Sequence, residues 1–269
     1  MDLGLKDKSV VITGATIETP SAAAGGIGAE TARLLVDEGA KVVLADIDAV
    51  RGGKLAEELR AKGGEAILVR TDVTSVDDIK RLVDAALQAY GTVNGLVTAA
   101  GCRARHGTAP NFPYIELKDW HFVMDAHLTG TLNCIQEVAR SAMIPRRSGK
   151  IVTISSNAGH GINGAQPYGA AMAAIAHLTK GVAAKLGPYG IHANCVSPGP
   201  VLTPIWEFEK MSDSEIEKLK QMMITNKMVR LERPGTGRDI AKVVLFALSD
   251  LAFQVTAADI NATAGLEVY

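Results

Sequence analysis

Aromatic residues make up only 4% of the 269 positions, and the chain holds three cysteines. Cys102, Cys134 and Cys195 lie far apart and form no CxxC pair, so neither a disulfide framework nor a zinc ribbon is expected, and no bound metal. That usage fits a reducing compartment, and a cytoplasmic protein is the expectation. An excess of one charge is missing as well. The 28 Lys+Arg against 29 Asp+Glu leave a net charge of −1, which offers no field to draw nucleic acid or an anionic membrane as partner. No apolar run approaches the ~18 residues of a membrane span, and the first residues lack the basic-then-apolar pattern of a leader. Neither a linker nor a repeat of fixed period divides the sequence. A chain of this length buries about 70–75% of its unfolded surface and needs no cross-link to be stable.

What the chain does have is rhythm. Short runs rich in β-branched residues alternate with helical patterns from one end to the other, the signature of βαβ units around a buried parallel sheet. The predicted strands are Ser9–Thr13, Lys41–Ala45, Ala66–Arg70, Gly95–Thr98, Lys150–Ile154, Ile191–Val196 and Asp259–Ala262. Between the third and fourth, Val76, Ile79, Leu82, Val83, Ala86 and Leu87 recur at helical spacing and read as a core face, with Thr74 and Asp77 as the helix start. The expected fold is α/β: a single doubly wound, Rossmann-type domain over 1–269, a seven-stranded parallel sheet with helices on both faces. One stretch, about 204–229, breaks the rhythm. Its Met211, Ile216, Leu219, Met222 and Met223 suit a lid over an apolar substrate, with an ordinary surface hairpin as the plainer alternative.

The first strand runs into Gly14, and Gly26-Ile27-Gly28 opens the following helix. Glycines there permit a tight turn and close backbone approach to a pyrophosphate, which the free N–H groups and positive dipole end of a helix favour. About 18 residues after Gly28, Asp46 ends the second strand, where a carboxylate accepts from the adenosine ribose hydroxyls and repels a 2′-phosphate. Asp48 adds to that repulsion, and the segment Ile47–Val50 supplies no Arg or Lys. The cofactor is therefore read as NAD rather than NADP. As alternatives, Asp46 caps the next helix, or the glycines only shape a turn.

These residues resemble the classical short-chain dehydrogenases/reductases, over nearly the whole chain. The resemblance rests on Thr13-Gly14…Gly26-Ile27-Gly28, Asp72-Val73, Ala99-Ala100-Gly101, Ser155-Ser156-Asn157-Ala158-Gly159, Tyr168, Gly190-Ile191-His192-Ala193-Asn194, Ser197-Pro198-Gly199-Pro200-Val201 and Thr203. It implies that Asp72 and Val73 flank the adenine and that Ala100 and Gly101 line the cofactor groove. Pro198 to Thr203, with Gly199 and Val201, would hold the nicotinamide end. It also implies a homo-oligomer, a tetramer or dimer built on two long helices and the C-terminal segment. Eleven residues separate Gly14 from Gly26 where the family usually has three, so Thr16–Ala24 reads as an insertion that bulges into solvent.

Hydride transfer to a carbonyl, or from a secondary alcohol, needs a group that gives or takes the hydroxyl proton. Tyr168 is that candidate, and it also lines the cofactor site. Ser156, twelve residues earlier and within Ser-x-x-Gly, is the orienting serine, although the usual family spacing would select Ser155. The family's lysine, four residues after the tyrosine, is here Met172, and its asparagine on the preceding long helix is His127. A free phenol titrates near ~10, so without the lysine cation alcohol oxidation should suffer more than carbonyl reduction. His127 is read as pointing towards the cofactor end of Tyr168, where Met172 leaves room, and as a proton relay, with a purely structural histidine as the alternative. Arg103, Arg105 and His106 suggest an anionic or carbonyl-rich substrate, or simply a solvated loop. His160 and His121 find no role, and Cys102 lacks a base partner. The expected activity is an NAD-dependent oxidoreductase acting on a small carbonyl or alcohol. The alternative is a lyase, hydratase, isomerase or silent nucleotide-binding subunit on the same fold.

Overall fold

The structure, a computed structural model, describes residues 2–15, 25–101, 113–161, 167–203 and 211–266. The insertion Thr16–Ala24, the loop carrying Cys102, Arg103, Arg105 and His106, and the start of the predicted lid lie outside the described residues. Seven strands, β1 (Ser9–Thr13), β2 (Lys41–Asp46), β3 (Glu65–Arg70), β4 (Gly95–Thr98), β5 (Gly149–Ile154), β6 (Ile191–Pro198) and β9 (Asp259–Ala262), form one sheet in the order β3-β2-β1-β4-β5-β6-β9. Every pairing is parallel. Two short strands missed in the sequence, β7 (Val201–Leu202) and β8 (Gly235–Thr236), pair with each other apart from it.

The strands explain why no alternation of polar and apolar residues marked them. Every residue of β1 and of β4 is buried, because both faces of the sheet carry helices. Val10 and Ile12 pack with Leu35 of α1 (Ile27–Asp37), Leu59 of α2 (Ala49–Ala61) and Val244 of α9 (Gly237–Leu248). Val11, between them, faces the other way, onto Ile79 and Val83 of α3 (Val76–Tyr90) and Ile135 of α5 (Gly130–Val138). Each such side chain contributes about 1.5–3 kcal/mol on leaving water. The order reverses at β1 and β4, so chain leaving their carboxyl ends diverges and opens a crevice.

Two local expectations, both in α3, are corrected. The start of α3 is capped by Ser75, whose Oγ accepts from Asp78 N at 3.2 Å, and not by Thr74. Thr74 is occupied one step earlier, its hydroxyl donating to Asp72 Oδ1 at 2.7 Å. Val76, at the rim of the predicted stripe, is 51% exposed, whereas Ile79, Leu82, Val83 and Ala86 are buried. In α8 (Asp213–Thr225), opened by a Ser212–Glu215 capping box, Ile216 and Met223 are buried against Leu202 and Val229, while Met222 is 41% exposed. Its principal apolar face thus packs on this chain. The long helical run is α4 (Leu117–Met124), a π-helical turn at Asp125–Thr129, α5, a second π turn at Ala139–Met143 and α6 (Ile144–Arg146).

A bidentate ion pair joins α1 to α2: Arg33 Nε and Nη2 donate to Glu58 Oε1 and Oε2 at 3.0 and 2.8 Å, and Lys62 Nζ lies 2.7 Å from Glu58 Oε1. The Arg33 hydrogen bond, aided by Lys62, lowers the Glu58 pKa to about 2. A carboxyl depressed in the folded state adds stability above its unfolded value, and that stability is lost as pH falls towards the folded one. Glu58→Gln is therefore expected to cost about 1 kcal/mol at pH 7, after solvent screening, and much less near pH 2. Urea titrations at the two pH values check this; an equal cost at both would remove the pair from the account.

Candidate active site

The carboxyl ends of β1, β2, β4, β5 and β6 lie on one edge of the sheet, and the sequence-predicted residues follow them. Gly14 adopts φ +69°, and a Cβ there would lie 2.6 Å from Ala99 O. Across the turn, a Cβ on Gly28 would come within 2.9 Å of the Gly14 carbonyl carbon. Strand and helix thus meet backbone to backbone, which glycine alone allows. Gly26, the residue before α1, supplies no side-chain cap, whereas α2, α3 and α9 are capped by Asp48, Ser75 and Thr236. Among the described residues nothing accepts from the first-turn N–H groups at Ile27 and Gly28, and a pyrophosphate is of the right charge and size for them.

Asp46 ends β2 half-buried, its Oδ1 accepting from Asp48 N at 3.0 Å. The helix cap is Asp48 instead, which accepts from Val50 N and Arg51 N. Asp48 is also paired with Arg51 at 3.5 Å. Asp72 turns back on Thr74, and Val73 lies against Gly130, where a Cβ would stand 2.6 Å from Val73 Cγ2. Ala100 N donates to Thr13 Oγ1 at 3.3 Å, which ties the end of β4 to β1. At the far side β6 ends in Pro198, Gly199 N donates to Ala262 O at 3.2 Å, and Val201 continues into β7 before Thr203.

The reacting end is built from three elements. Tyr168 is the first residue of α7 (Tyr168–Leu186). His127 lies in the π-helical turn at Asp125–Thr129, a type of turn that re-aims side chains and recurs at functional sites. The two rings meet edge to face, centroids 5.4 Å apart and planes at 70°. Gly101 closes on the same imidazole: a Cβ there would stand 2.6 Å from His127 Nδ1. Ser155 is buried and donates to Met172 O at 2.8 Å, whereas Ser156 is half-buried and accepts from Ala158 N at 3.2 Å. Met172 leaves no gap, contrary to expectation. It is 2% exposed and packs with Val123, Ile175, Ala176 and Cys195, against which Tyr168 rests. Burial pushes the Cys134 and Cys195 thiols up to about 12, so neither is a nucleophile. A cavity of about 190 Å³ lined by Lys8, Lys150, His192 and Phe253 lies at the opposite, amino-terminal edge and plays no part in this site.

Comparison with known proteins agrees with this architecture. A family described as enoyl-(acyl carrier protein) reductase matches residues 22–267. The chain belongs to the classical short-chain dehydrogenase/reductase family. It is 35% identical to the L-rhamnose 1-dehydrogenase (NAD(P)+) of Azotobacter vinelandii over 98% of both chains. It is 31% identical to a 3-oxoacyl-(acyl-carrier-protein) reductase of Staphylococcus aureus, over 96% of this chain and 98% of that one. A 7α-hydroxysteroid dehydrogenase solved with NADH and 7-oxo glycochenodeoxycholic acid superposes with a TM-score of 0.85 at 29% identity, covering 98% of this chain and 96% of that one. The protein is thus an NAD(P)-dependent hydride-transfer oxidoreductase, and the non-redox and silent-subunit alternatives are not favoured. Among the described residues no cluster suits a metal ion, and no helix is long and apolar enough to cross a membrane.

His160, given no role from sequence, stands within reach of Ser197 and Asp259. Those partners are 37 and 99 positions away along the chain, so no local pattern could have flagged them.

The closeness of Gly101 to His127 is directly testable. Gly101→Ala must drive the ring off Tyr168 and is expected to cost about 1–3 kcal/mol in urea unfolding. Gly53→Ala in α2, with nothing within 4 Å, should be neutral or gain about 0.5–1 kcal/mol. Equal behaviour of the two would show that the imidazole does not rest on Gly101.

Proposed function

We propose that this short-chain dehydrogenase/reductase uses NAD(H) and works chiefly as a carbonyl reductase. Tyr168 donates the proton, Ser156 orients the substrate oxygen and His127 relays. The observation that carries the reading is the edge-to-face pair of His127 and Tyr168, closed by Gly101 at the end of β4. A bound nicotinamide supplies the hydride; the chain supplies the cradle, the orientation and the proton. Gly14, Gly26, Ile27 and Gly28 would take the pyrophosphate and Asp46 the ribose hydroxyls, with Asp72 and Val73 beside the adenine. Ala100 and Gly101 would line the groove, and Tyr168, Pro198, Gly199, Val201 and Thr203 the nicotinamide end. Arg51 is engaged by Asp48 and so is poorly placed to welcome a 2′-phosphate, which supports NAD over NADP.

With an apolar, buried Met172 at the position where the family carries a cation, that position offers a phenolate on Tyr168 no stabilising charge, and the neutral phenol is taken as the working form. That favours reduction. His127 beside the ring replaces the proton on the phenol after each turnover. Ser155, committed to the Met172 carbonyl, leaves Ser156 as the hydroxyl at the site. We further propose one dinucleotide-binding unit over 1–269, with the region around α8 as a cover. We also propose a cytoplasmic homo-oligomer acting on a small molecule, with no metal, nucleic-acid or membrane partner.

Calorimetric titration should give micromolar NADH binding and much weaker NADPH binding, with the preference narrowed in Asp46→Ala; binding of neither nucleotide would sink the proposal. In a ketone screen with NADH, Tyr168→Phe should lose about 10²–10⁴-fold in kcat with NADH affinity kept. Retained turnover would remove Tyr168 from the chemistry. Met172→Lys should raise alcohol oxidation at least about tenfold; no gain would mean that phenol ionisation does not limit that direction.

A further inference from the structure

We infer that His160 is a positioning residue for the Ser156 turn, holding it to the ends of β6 and β9 through Asp259 and Ser197. The inference rests on the reading of Ser156 as the orienting serine. After β5, Ser155 is pinned inward, and the chain then makes a 3₁₀ turn at Asn157–Gly159 closed by its own backbone. Gly159 N donates to Ser156 O at 3.0 Å and His160 N to Asn157 O at 3.0 Å. One flank of the turn rests on α7, where a Cβ on Gly159 would stand 2.6 Å from Ala173 N. The other flank is held by His160 alone among the side chains with described bonds to the sheet.

The geometry of that attachment is specific. Ser197 Oγ donates to Asp259 Oδ1 at 2.6 Å. His160 Nε2 lies 3.0 Å from Asp259 Oδ2 and 3.3 Å from Ser197 Oγ. Since the serine hydrogen is spent on the carboxylate, its lone pairs face the imidazole, and Nε2–H is the donor to Ser197 Oγ, while Asp259 Oδ2 lies at ion-pair distance from the ring and makes no hydrogen bond. The same direction of donation excludes a hydrolase triad, in which the serine would give its proton to the histidine. Ser197 is 1% exposed and the Asp259 side chain 12%. A carboxylate so withdrawn from water, with Oδ2 lacking a hydrogen bond, depends on the polar groups that crowd it, and removing the imidazole is costly. Cys195, two residues before Ser197, faces the same group at 3.9 Å as a neutral thiol.

The consequence reaches the chemistry through two strands. Ser197 leads directly into Pro198 and Gly199, and Gly199 N is bonded to Ala262 O on the strand that Asp259 begins. His160 therefore sets the Ser156 turn in register with the segment proposed to hold the nicotinamide end. A misplacement of order 1 Å at such a site costs up to about a hundredfold in rate.

The test compares His160→Leu, His160→Gln and Asp259→Asn with the wild type. Measured are kcat and KM for the best ketone of a cyclic and acyclic panel with NADH, NADH affinity by calorimetry, and amide hydrogen exchange at 157–161. His160→Leu should lower kcat by about tenfold or more, leave NADH affinity within about twofold, and speed exchange in the turn by about tenfold. His160→Gln, which presents an N–H towards Asp259, should recover most of both. Asp259→Asn should loosen the turn as His160→Leu does, and serves if the leucine variant fails to fold. Unchanged exchange in the variants overturns the tether whatever the activity. Faster exchange with unchanged kcat, or equal losses in the Gln and Leu variants, overturns the positioning role. Turnover of no ketone by the wild type would defeat the carbonyl-reductase reading instead, and the exchange data would still decide the tether.

Discussion

The backbone contact between Gly14 and Gly28 is the constraint on which the site depends. With no side chain at either position, the amino end of α1 sits directly on the carboxyl end of β1, at the point where the strand order reverses. Any Cβ at Gly28 would push the helix away from the strand, and the N–H groups of its first turn would no longer face the crevice. The helices on that face follow α1: α9 packs beside it and α2 is tied to it through Arg33 and Glu58. The two faces of the sheet are therefore unequal in role. One carries the anion-accepting turn, and the other carries the long helical run with its π turns and α7, which bring His127 and Tyr168 together.

Beneath Tyr168 that second face is apolar. Met172 is buried among Val123, Ile175, Ala176 and Cys195. Tyr168 then rests on an apolar floor, with an imidazole at its edge. Ion pairing in this protein is instead spent on helix junctions and caps, as at Glu58 and at Asp239, whose hydrogen bond from Arg233 lowers its pKa to about 2.

Much of this was legible in one dimension, for reasons that the failures make clear. The strands were readable because a strand covered by helices on both faces must be largely apolar; three of the seven runs match the observed bounds, three differ by one terminal residue and β6 runs two residues further than expected. The start of α3 was misplaced because two hydroxyls, Thr74 and Ser75, are adjacent, and only the turn made by Asp72 decides which one is free to cap. The apolar residues of α8 could be seen as a stripe. That most of the stripe is covered by Leu202 and Val229 depends on β7, too short to be marked by composition.

The sequence by itself determined the fold and the order of site residues along the carboxyl edge, because hydrophobic run length, glycine positions and spacing are local properties. Only the tertiary structure decided which neighbours those residues have. It set the imidazole against Tyr168, filled the space at Met172, gave Ser155 to a carbonyl and left Ser156 at the turn. It also joined His160 to Ser197 and Asp259. Each of these is a contact between elements brought together by parallel crossovers, and the side-chain chemistry there follows from burial and hydrogen-bond direction, which no interval along the chain records.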